Sequence, residues 1–397
     1  MSKSLHLRNA SEICIPQKEG TGIDRLPGYD MIITDGLVSW LGEPNNTPDL
    51  PKDIEIYDAG GKAVLPALVD FHTHLIYSGD RVSDFAARSR GVSYSEIAAA
   101  GGGILTTVKA TRSATIEELA TTLEARLKSR TRYGIATTEV KSGYGLSVTH
   151  ELNMLEAAKQ VRNSGWDLEA TLLAAHTVPH DQSKDSYINE ILDELIPYVA
   201  KHKLARFVDV FVEQNAYTVD DARRIFAKAK EFGLIPRIHA DQITPGGGAE
   251  LAGEVHAASA DHLENISEEG LRAMRENNVI GGLLPGAGIF LGDEVRGLGR
   301  KLVDAGIEVA VATDANPGSS PLNNLPLAAT LATTQMGLTV DEAIRGVTLG
   351  AAHALKRPDV GSLLPGCRGN FIVLEHSDSR ALVYAFGEPI IRDLIVS

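Results

Sequence analysis

Eight short apolar segments recur along the middle of the chain, and each one ends in polar residues. Helical patterns separate them, such as TIEELATTLEARLKSRTRYG and TVDDARRIFAKAKEFG, which both start at a threonine that can cap a helix and close near a glycine. Eight strand-helix units are what a closed barrel of parallel strands requires, so the pattern predicts a (β/α)8 barrel of the TIM type. The segments are LVDFHTH, GIATTEVKSGYG, EATLLAAHTVP, RFVDVFVEQN, LIPRIHAD, AASADHLE, VIGGLLPG and EVAVATDANPG.

Both ends of the chain depart from this alternation because they consist of short strands and turns. MIITDGLVSWLG and IEIYDAGGKAVLP alternate apolar and polar residues with glycine between them, and GSLLPGCRGNFIVLEH and EPIIRDLIVS do the same near the end. We therefore expect residues 1–62 and 359–397 to form one small β-sandwich, with the barrel at residues 63–358.

Composition limits the partners that the protein can have. The chain has 397 residues and a formal net charge of −14, which argues against binding nucleic acid. It contains no apolar run of about 18 residues and no signal-peptide pattern at its start. Cys14 and Cys367 lie at opposite ends, which fits a reducing cytoplasm. We expect a cytoplasmic protein that acts on a small molecule, and an anionic one would need local positive charge.

Candidate metal ligands stand at the predicted carboxyl ends of several strands, where barrels of this kind carry their chemistry. His72 and His74 lie one residue apart on the first strand, so they point to the same face. A single histidine or a lone HxH pair is a weak signal, but the set suits zinc, or iron in a similar site, and leaves room for a water. The others, on the third, fifth, sixth and eighth strands, are His176, His239, His262 and Asp314.

Two residues near these strand ends are candidates for contacting a ligand. Arg81 follows the first strand, and its guanidinium can form two parallel hydrogen bonds with such a group. Tyr144 in KSGYG is flanked by glycines, so the backbone can approach a ligand closely. Lys141 offers an alternative as a carboxylated lysine that bridges a second metal, although the fourth strand carries Glu213.

The two GGG segments do not match a specific binding motif. GGG at 101–103 and at 246–248 lacks the lysine and hydroxyl residue of a phosphate-binding loop, so we interpret both as turns. The first of them lies in a long excursion, about residues 75–115, after the first strand. We expect that excursion to be a mobile loop or a turn folded over the mouth of the barrel.

Several of these segments resemble the amidohydrolase superfamily, namely VLPALVDFHTH, HAD, SADHLE and ATDANPGSSP. More narrowly, nearly the whole chain is similar to the imidazolonepropionase family, for which KSGYGL and NPGSSP are the most specific segments. The resemblance implies metal-dependent hydrolysis of the cyclic amide of 4-imidazolone-5-propanoate to N-formimino-L-glutamate in histidine degradation. It also implies one zinc or iron ion per chain and a homodimer.

The resemblance further implies roles for individual residues. Arg81 and Tyr144 would hold the propionate of the substrate, while His176 would hydrogen-bond the carbonyl of its ring. Tyr94 would close over the ligand from the long loop, and His262 would lie beside the metal-bound water. The implied metal ligands are His72, His74, His239 and Asp314. The remaining implied substrate contacts are Gln242, Asn316, Gly318 and Ser319.

Two positions depart from the pattern of the superfamily. Ala67 stands where members usually have glycine, and Gln242 stands where some members carry a glutamate and others a glutamine. A glutamine cannot accept a proton as a general base. Asp314, His262 or a water relayed by them would then have to do so. Two other functions remain open at this point: another amidohydrolase, either a deaminase or a cyclic-ureide hydrolase, and a metal-bound binding protein that has lost catalysis.

Overall fold

Two sheets built from both ends of the chain face one another in the computed structural model, which describes residues 4–51, 53–92, 96–97, 101–214 and 216–396. The first sheet contains, in spatial order, β5 (Leu37–Gly42), β4 (Asp30–Thr34), β1 (Leu5–Arg8) and β6 (Glu55–Asp58). The second contains β17 (Ile391–Ile395), β16 (Phe371–Leu374), β7 (Ala63–Pro66), β2 (Glu12–Pro16) and β3 (Ile23–Pro27).

The two sheets share one apolar core, so the expected β-sandwich from both termini is confirmed. Leu7 and Met31 of the first sheet pack in the same buried cluster as Ile13, Val64 and Phe371 of the second. Alternate residues of a strand point to the same face, which is why short alternating segments suffice to build this core.

The sandwich extends beyond the expected boundary at residue 62. Ala63–Pro66 pairs with β2 and β16, so these four residues belong to the five-stranded sheet. At the other end, the helix Ala381–Tyr384 packs against the barrel, where Thr330 donates a hydrogen bond to the carbonyl of Val383 at 2.5 Å. We therefore propose that the first part of the sandwich ends at Pro66 and that residues 359–397 serve both units.

Eight parallel strands form the predicted barrel, and each pairs with the next one in the chain. All eight apolar segments of the sequence contribute a strand, so the (β/α)8 prediction is confirmed. The strands are β8 (Leu68–Asp70), β9 (Ile135–Lys141), β10 (Asp167–Ala175), β11 (Phe207–Val212), β12 (Ile235–Ala240), β13 (Ser259–His262), β14 (Ile280–Leu283) and β15 (Val309–Val311).

The first and last strands of the barrel meet through the residues that follow them. The amide of Asp314 donates to the carbonyl of His72 at 3.1 Å, and the amide of His74 donates to the carbonyl of Ala315 at 3.0 Å. Thr73 and Ala315 form a parallel bridge between these two bonds. The barrel is therefore closed by the same short segments that carry the candidate metal ligands.

The helices surround the barrel and begin where the sequence predicts. Thr115 and Thr218 both cap their helices, each in a reciprocal pair with the acidic residue three positions later. Within the described part of the chain, none of the helices is long and apolar enough to span a membrane. They are Val82–Arg88, Ile104–Ser113, Ile116–Arg130, Val148–Asn163, Lys184–Glu190, Ile196–His202, Val219–Glu231, Gly248–Glu254, Glu268–Glu276, Pro285–Leu291, Leu298–Asp304, Leu325–Thr334, Val340–Gly346, Leu349–Ala354 and Ala381–Tyr384.

Replacement of Phe371 by alanine should strongly destabilise the sandwich. The ring is fully buried and packs edge to face with the ring of Tyr57, with ring centres 5.6 Å apart. Its loss therefore leaves a cavity between the sheets. We expect a loss of about 3–5 kcal/mol in the free energy of unfolding, measured with chemical denaturant. Phe386→Ala is the control, since that ring is 68% exposed and its loss should change stability by less than about 0.5 kcal/mol.

Candidate metal centre and active site

Four side chains converge at the carboxyl end of the barrel. His74 Nε2 lies 3.3 Å from Asp314 Oδ1 and 3.4 Å from His239 Nε2, and His72 Nε2 lies 3.6 Å from the same aspartate oxygen. Ligands on metal bonds of about 2.0–2.1 Å in a tetrahedron are about 3.3 Å apart. The four expected ligand residues therefore come together with spacings that suit one metal ion.

The protonation of these histidines also suits a metal. His72 Nδ1 lies 2.6 Å from Asp261 Oδ2 and His239 Nδ1 lies 3.0 Å from Asp209 Oδ1, and each carboxylate can only accept. Each ring therefore keeps its proton on Nδ1 and turns the Nε2 lone pair toward the centre. Burial lowers the pKa of His72 and His74 well below the usual range, so both rings are neutral.

The centre contains acceptors without donors. His72 Nε2 and Asp314 Oδ1 are buried and have no hydrogen-bond partner among the residues that the structure describes. With the proton of His239 on Nδ1, its Nε2 turns a lone pair toward the Nε2 of His74, only 3.4 Å away. A cation between these atoms would satisfy all of them at once, so the residues present fit the metal that the sequence predicts.

A network of buried charged residues contacts the candidate ligands His72 and His239. Lys141 Nζ lies 2.9 Å from Glu139 Oε1 and 2.9 Å from Asp209 Oδ2, and Arg237 lies 3.0 Å from Asp261. Burial raises the pKa of Asp209, but His239 and Lys141 outweigh that effect and hold it well below the usual range. Lys141 acts here as a cation between two carboxylates, so this geometry does not support the alternative of a carboxylated lysine.

The sequence interpretation missed four of these five residues, although a signal was present. Glu139, Asp209, Arg237 and Asp261 are charged residues within otherwise apolar barrel strands. A charge inside a buried strand is expensive unless it is paired, so such residues indicate a network around a functional centre.

His262 lies beside the proposed ligands. One of its ring nitrogens lies within 4.8 Å of the ligand atoms of His72 and His239. Its backbone is left-handed at φ 81°, as is that of Asp314 at φ 51°. Such conformations cost a residue other than glycine about 1–3 kcal/mol and are concentrated at active sites.

His176 stacks on His74, with ring centres 5.2 Å apart, and its Nδ1 lies 3.1 Å from the carbonyl oxygen of Gly143. A carbonyl only accepts, so Nδ1 carries the proton. Burial lowers the pKa of His176 to about 3, which leaves the ring neutral and Nε2 without a proton. The expected donation from His176 to a substrate carbonyl does not fit this tautomer, which accepts a hydrogen bond instead.

A cavity of about 840 Å³ opens above the centre. Helix Val82–Arg88 contributes to its wall, so the long excursion after β8 does border the mouth of the barrel. Tyr94 lies outside the residues that the structure describes. The expected substrate-binding residues that line the cavity are Arg81, Tyr144, His176, Gln242, Asn316, Gly318 and Ser319.

Arg81 and Tyr144 offer hydrogen-bond donors in this wall. Arg81 Nε pairs with the carboxylate of Asp84, which also accepts from the amide of Gly103 at 2.9 Å. A Cβ built on Gly318 would lie 3.2 Å from a terminal nitrogen of Arg81, so the guanidinium reaches the loop after β15. Burial raises the pKa of Tyr144, which keeps its hydroxyl protonated and able to donate.

The loop that carries Tyr144 is fixed by one buried carboxylate. Glu151 accepts hydrogen bonds from the amides of Gly143, Gly145 and Leu146 at 2.8–2.9 Å. Gly143 is required for a second reason: its φ is 112°, and a Cβ there would lie 3.0 Å from His176 Nδ1. The KSGYG segment is therefore shaped for close contact with the strand-three histidine.

Two other residues, Asn316 and Glu213, organise loops in the same way. Asn316 Oδ1 accepts from the amides of Gly318 and Ser319, and its Nδ2 lies 3.0 Å from Asp314 Oδ2. The side-chain amide of Asn316 thus supports its own loop and a metal ligand, although it also lines the cavity. Glu213 accepts from the amides of Ile243 and Thr244, which makes it an anchor of the loop after β12.

Asp241 explains the second GGG segment. It accepts from the amides of Gly246, Gly248 and Ala249 at 2.9–3.1 Å. The glycines therefore wrap a carboxylate of the chain itself, in agreement with their interpretation as a turn.

The amidohydrolase family model matches residues 63–396. The imidazolonepropionase of Geobacillus kaustophilus is 46% identical over 339 residues, which are 84% of this chain and 80% of that protein. That of Deinococcus deserti is 42% identical over 94% and 92% of the two chains, and that of Myxococcus xanthus is 41% identical over 96% and 93%.

Solved structures with the same fold are far more distant in sequence. Guanine deaminase from E. coli superposes with a TM-score of 0.73 at 16% identity, over 100% of this chain and 98% of that one. The 5-methylcytosine deaminase from Klebsiella pneumoniae gives a TM-score of 0.71 at 17% identity, over 98% and 96%. These likenesses show the fold alone.

The barrel, the converging histidines and aspartate, and the family match place the chain in the amidohydrolase family, whose members are metal-dependent. The identity to relatives over most of their length narrows this further. Within that family, the chain belongs to the imidazolonepropionases.

Replacement of Asp209 or Asp261 by asparagine should weaken metal binding about 10–100-fold, since each carboxylate fixes the tautomer of one ligand histidine. Competition with a chelator, followed by elemental analysis, measures the affinity. His74→Ala should remove most of the metal. Asp24→Asn, an exposed change in the sandwich, is the control. Unchanged metal affinity in both asparagine variants would contradict the support role.

Proposed function

We propose that the protein hydrolyses the cyclic amide of 4-imidazolone-5-propanoate to N-formimino-L-glutamate, a step of histidine degradation. The observation that carries this proposal is the cavity wall, where Arg81 and Tyr144 stand above the metal-ligand set. An anionic group needs such a local cation in a chain whose formal net charge is −14. The names and the identity of the relatives support the same reaction.

We propose one zinc or iron ion per chain, held by His72, His74, His239 and Asp314. Such an ion supplies an activated water at neutral pH and polarises the carbonyl that is attacked. The protein acts on the rest of the substrate. Arg81 pairs with the propionate and thereby orients the ring, which lowers the entropic part of the barrier. Elemental analysis should find about one ion per chain, and two tightly bound ions would contradict this proposal.

We propose a role for His176 that differs from the one implied by the resemblance of the chain to its family. The Nε2 of His176 accepts, so we propose that it binds an N–H of the substrate ring rather than the carbonyl. Ring binding by His176 and propionate binding by Arg81 together fix two separate points of the substrate. His176 in this tautomer has no Nε2 proton to give to a developing oxyanion, so a bound metal ion would supply that stabilisation.

The proton route involves Asp314 or His262, because the amide of Gln242 cannot take a proton. Gln242 lines the cavity and can hydrogen-bond the substrate through its side chain, which gives it an orienting role. The attacking water loses a proton as it bonds to the ring carbon, and the leaving nitrogen gains one as its bond to that carbon breaks.

The same site bears on the two alternative functions that the sequence left open. Another amidohydrolase, such as a deaminase or cyclic-ureide hydrolase, would share the metal ligands without needing a carboxylate grip. The second alternative, a metal-bound binding protein without activity, is opposed by the complete set of candidate ligands at the strand ends. We further propose that the protein works in the cytoplasm as a homodimer and binds neither nucleic acid nor a membrane.

Replacement of Arg81 by alanine should cost about 2–5 kcal/mol of transition-state binding, the range for one partner of a desolvated charge pair. Either the Michaelis constant should rise or turnover should fall, by a factor of several tens or more. Arg81→Lys should restore only part of the activity, because a point charge does not reproduce the planar fork. Steady-state kinetics measures both, and metal content should stay unchanged.

The deciding comparison uses an imidazolone that lacks the propionate. Wild-type protein should turn over this analogue poorly, and Arg81→Ala should turn it over no worse than wild type does. If the variant impairs both substrates equally, Arg81 supports the loop through Asp84 and the carboxylate binds elsewhere.

Asp314→Asn should abolish turnover even in protein that retains some metal, because the carboxylate serves both as ligand and in proton transfer. Gln242→Ala should cost less, mainly through the Michaelis constant, since only orientation is lost. Kinetics on metal-loaded samples of both variants tests this order. Equal loss of turnover in the two variants at equal metal content would contradict the roles assigned here.

A further inference from the structure

Glu264 is a buried carboxylate that the proposed reaction does not use. Its side chain is only 3% exposed, and neither of its oxygens has a hydrogen-bond partner among the described residues. The ring of His262 faces this carboxylate, with Nδ1 3.7 Å from Glu264 Oε1, and that nitrogen also lacks a hydrogen-bond partner among the described residues. Burying a carboxylate without a partner is costly, so its position requires an explanation.

The backbone is shaped to bring Glu264 to this ring. His262 and Leu263 are both left-handed, at φ 81° and 73°, and this turn lets the side chain of residue 264 come back to the ring two positions earlier. Two successive residues of this kind, neither of them glycine, are strained, and strain is retained where the surrounding structure requires that geometry. Helix Pro285–Leu291 covers the carboxylate, and a Cβ built on Gly288 would lie 3.8 Å from its Oε1.

The other side of the His262 ring faces the metal centre. The ring packs against those of His239 and His72, with centres 5.3 and 5.9 Å apart. Its Nδ1 is turned toward Glu264, so Nε2 is the nitrogen left for the side where Asp314 and the cavity lie. A carboxylate can only accept a hydrogen bond, and it therefore selects the tautomer that carries its proton on Nδ1.

We propose that Glu264 is a positioning residue whose carboxylate faces and attracts the Nδ1 proton of His262 and so holds the Nε2 lone pair of that ring toward the metal centre. This inference rests on the proposed ring-opening function and selects between its two proton routes. His262, oriented in this way, receives the proton of the attacking water at Nε2 and returns it to the leaving nitrogen. Glu264 thereby supports the task that Gln242 cannot perform.

The kinetic test compares Glu264→Leu with Glu264→Gln. Leucine removes the acceptor at similar volume, whereas the amide oxygen of glutamine still accepts the same N–H without a charge. We expect turnover to fall at least tenfold in Glu264→Leu with a Michaelis constant within threefold of wild type, and to be largely kept in Glu264→Gln. Glu250→Leu is the matched control, since that carboxylate also has one unpartnered oxygen but contacts Ser267 away from the centre.

Two further readouts separate this role from a structural one. Metal content should be the same in all variants, and its loss in Glu264→Leu would overturn the proposal. In protein with ¹⁵N-labelled histidine and no metal, His262 should show a proton on Nδ1, identified by its loss in His262→Gln. That signal should persist in Glu264→Gln and disappear or shift strongly in Glu264→Leu.

The outcomes also distinguish the two proposals. If wild-type protein does not open the imidazolone ring, the proposed function fails, and the labelled histidine still tests the tautomer. If wild type is active and Glu264→Leu turns over normally, or if His262 carries its proton on Nε2, the positioning role of Glu264 is overturned while the function stands.

Discussion

Two backbone hydrogen bonds, between the segments that follow β8 and β15, are the constraint on which the rest of the structure depends. They join the carbonyl of His72 to the amide of Asp314 and the amide of His74 to the carbonyl of Ala315. They close the barrel, and they also fix the distance between ligands that are more than 200 residues apart in the chain. The contacts that close the barrel are for this reason the ones that bring the candidate ligands together.

The buried charges beneath the centre follow from the same requirement. Three carboxylates, on Glu139, Asp209 and Asp261, stand against the two cations Lys141 and Arg237. Each histidine that they touch is held in the tautomer that a metal needs, and the excess of negative charge favours a divalent cation above them. Such a network stabilises the protein little by itself, because desolvation offsets the attraction between the charges. What the network does instead is to hold the histidines that it contacts in a fixed orientation.

The sequence was sufficient for the barrel and for placing the candidate ligands at one end of it, because both follow from periodicity. Strand ends are marked by the change from apolar to polar residues, and His72 and His74 share a face because side chains alternate. The start of the barrel could not be placed as well, since AVLPALVD is one apolar run in which β7 and β8 belong to different sheets. The tautomer of His176 depends on a carbonyl 33 residues away, which no local pattern reveals.

The loops around the cavity differ in how far their anchors reach. Glu151, Asp241 and Asn316 each collect amides from within eight residues of themselves, so each of these loops carries its own folding information. Glu213 is different because it joins the loop after β11 to the loop after β12, about 30 residues on. The loop that Glu151 anchors is thus a modular edge of the barrel mouth: exchanging it together with its anchor would change which molecules enter and would leave the loops that hold the candidate metal ligands in place.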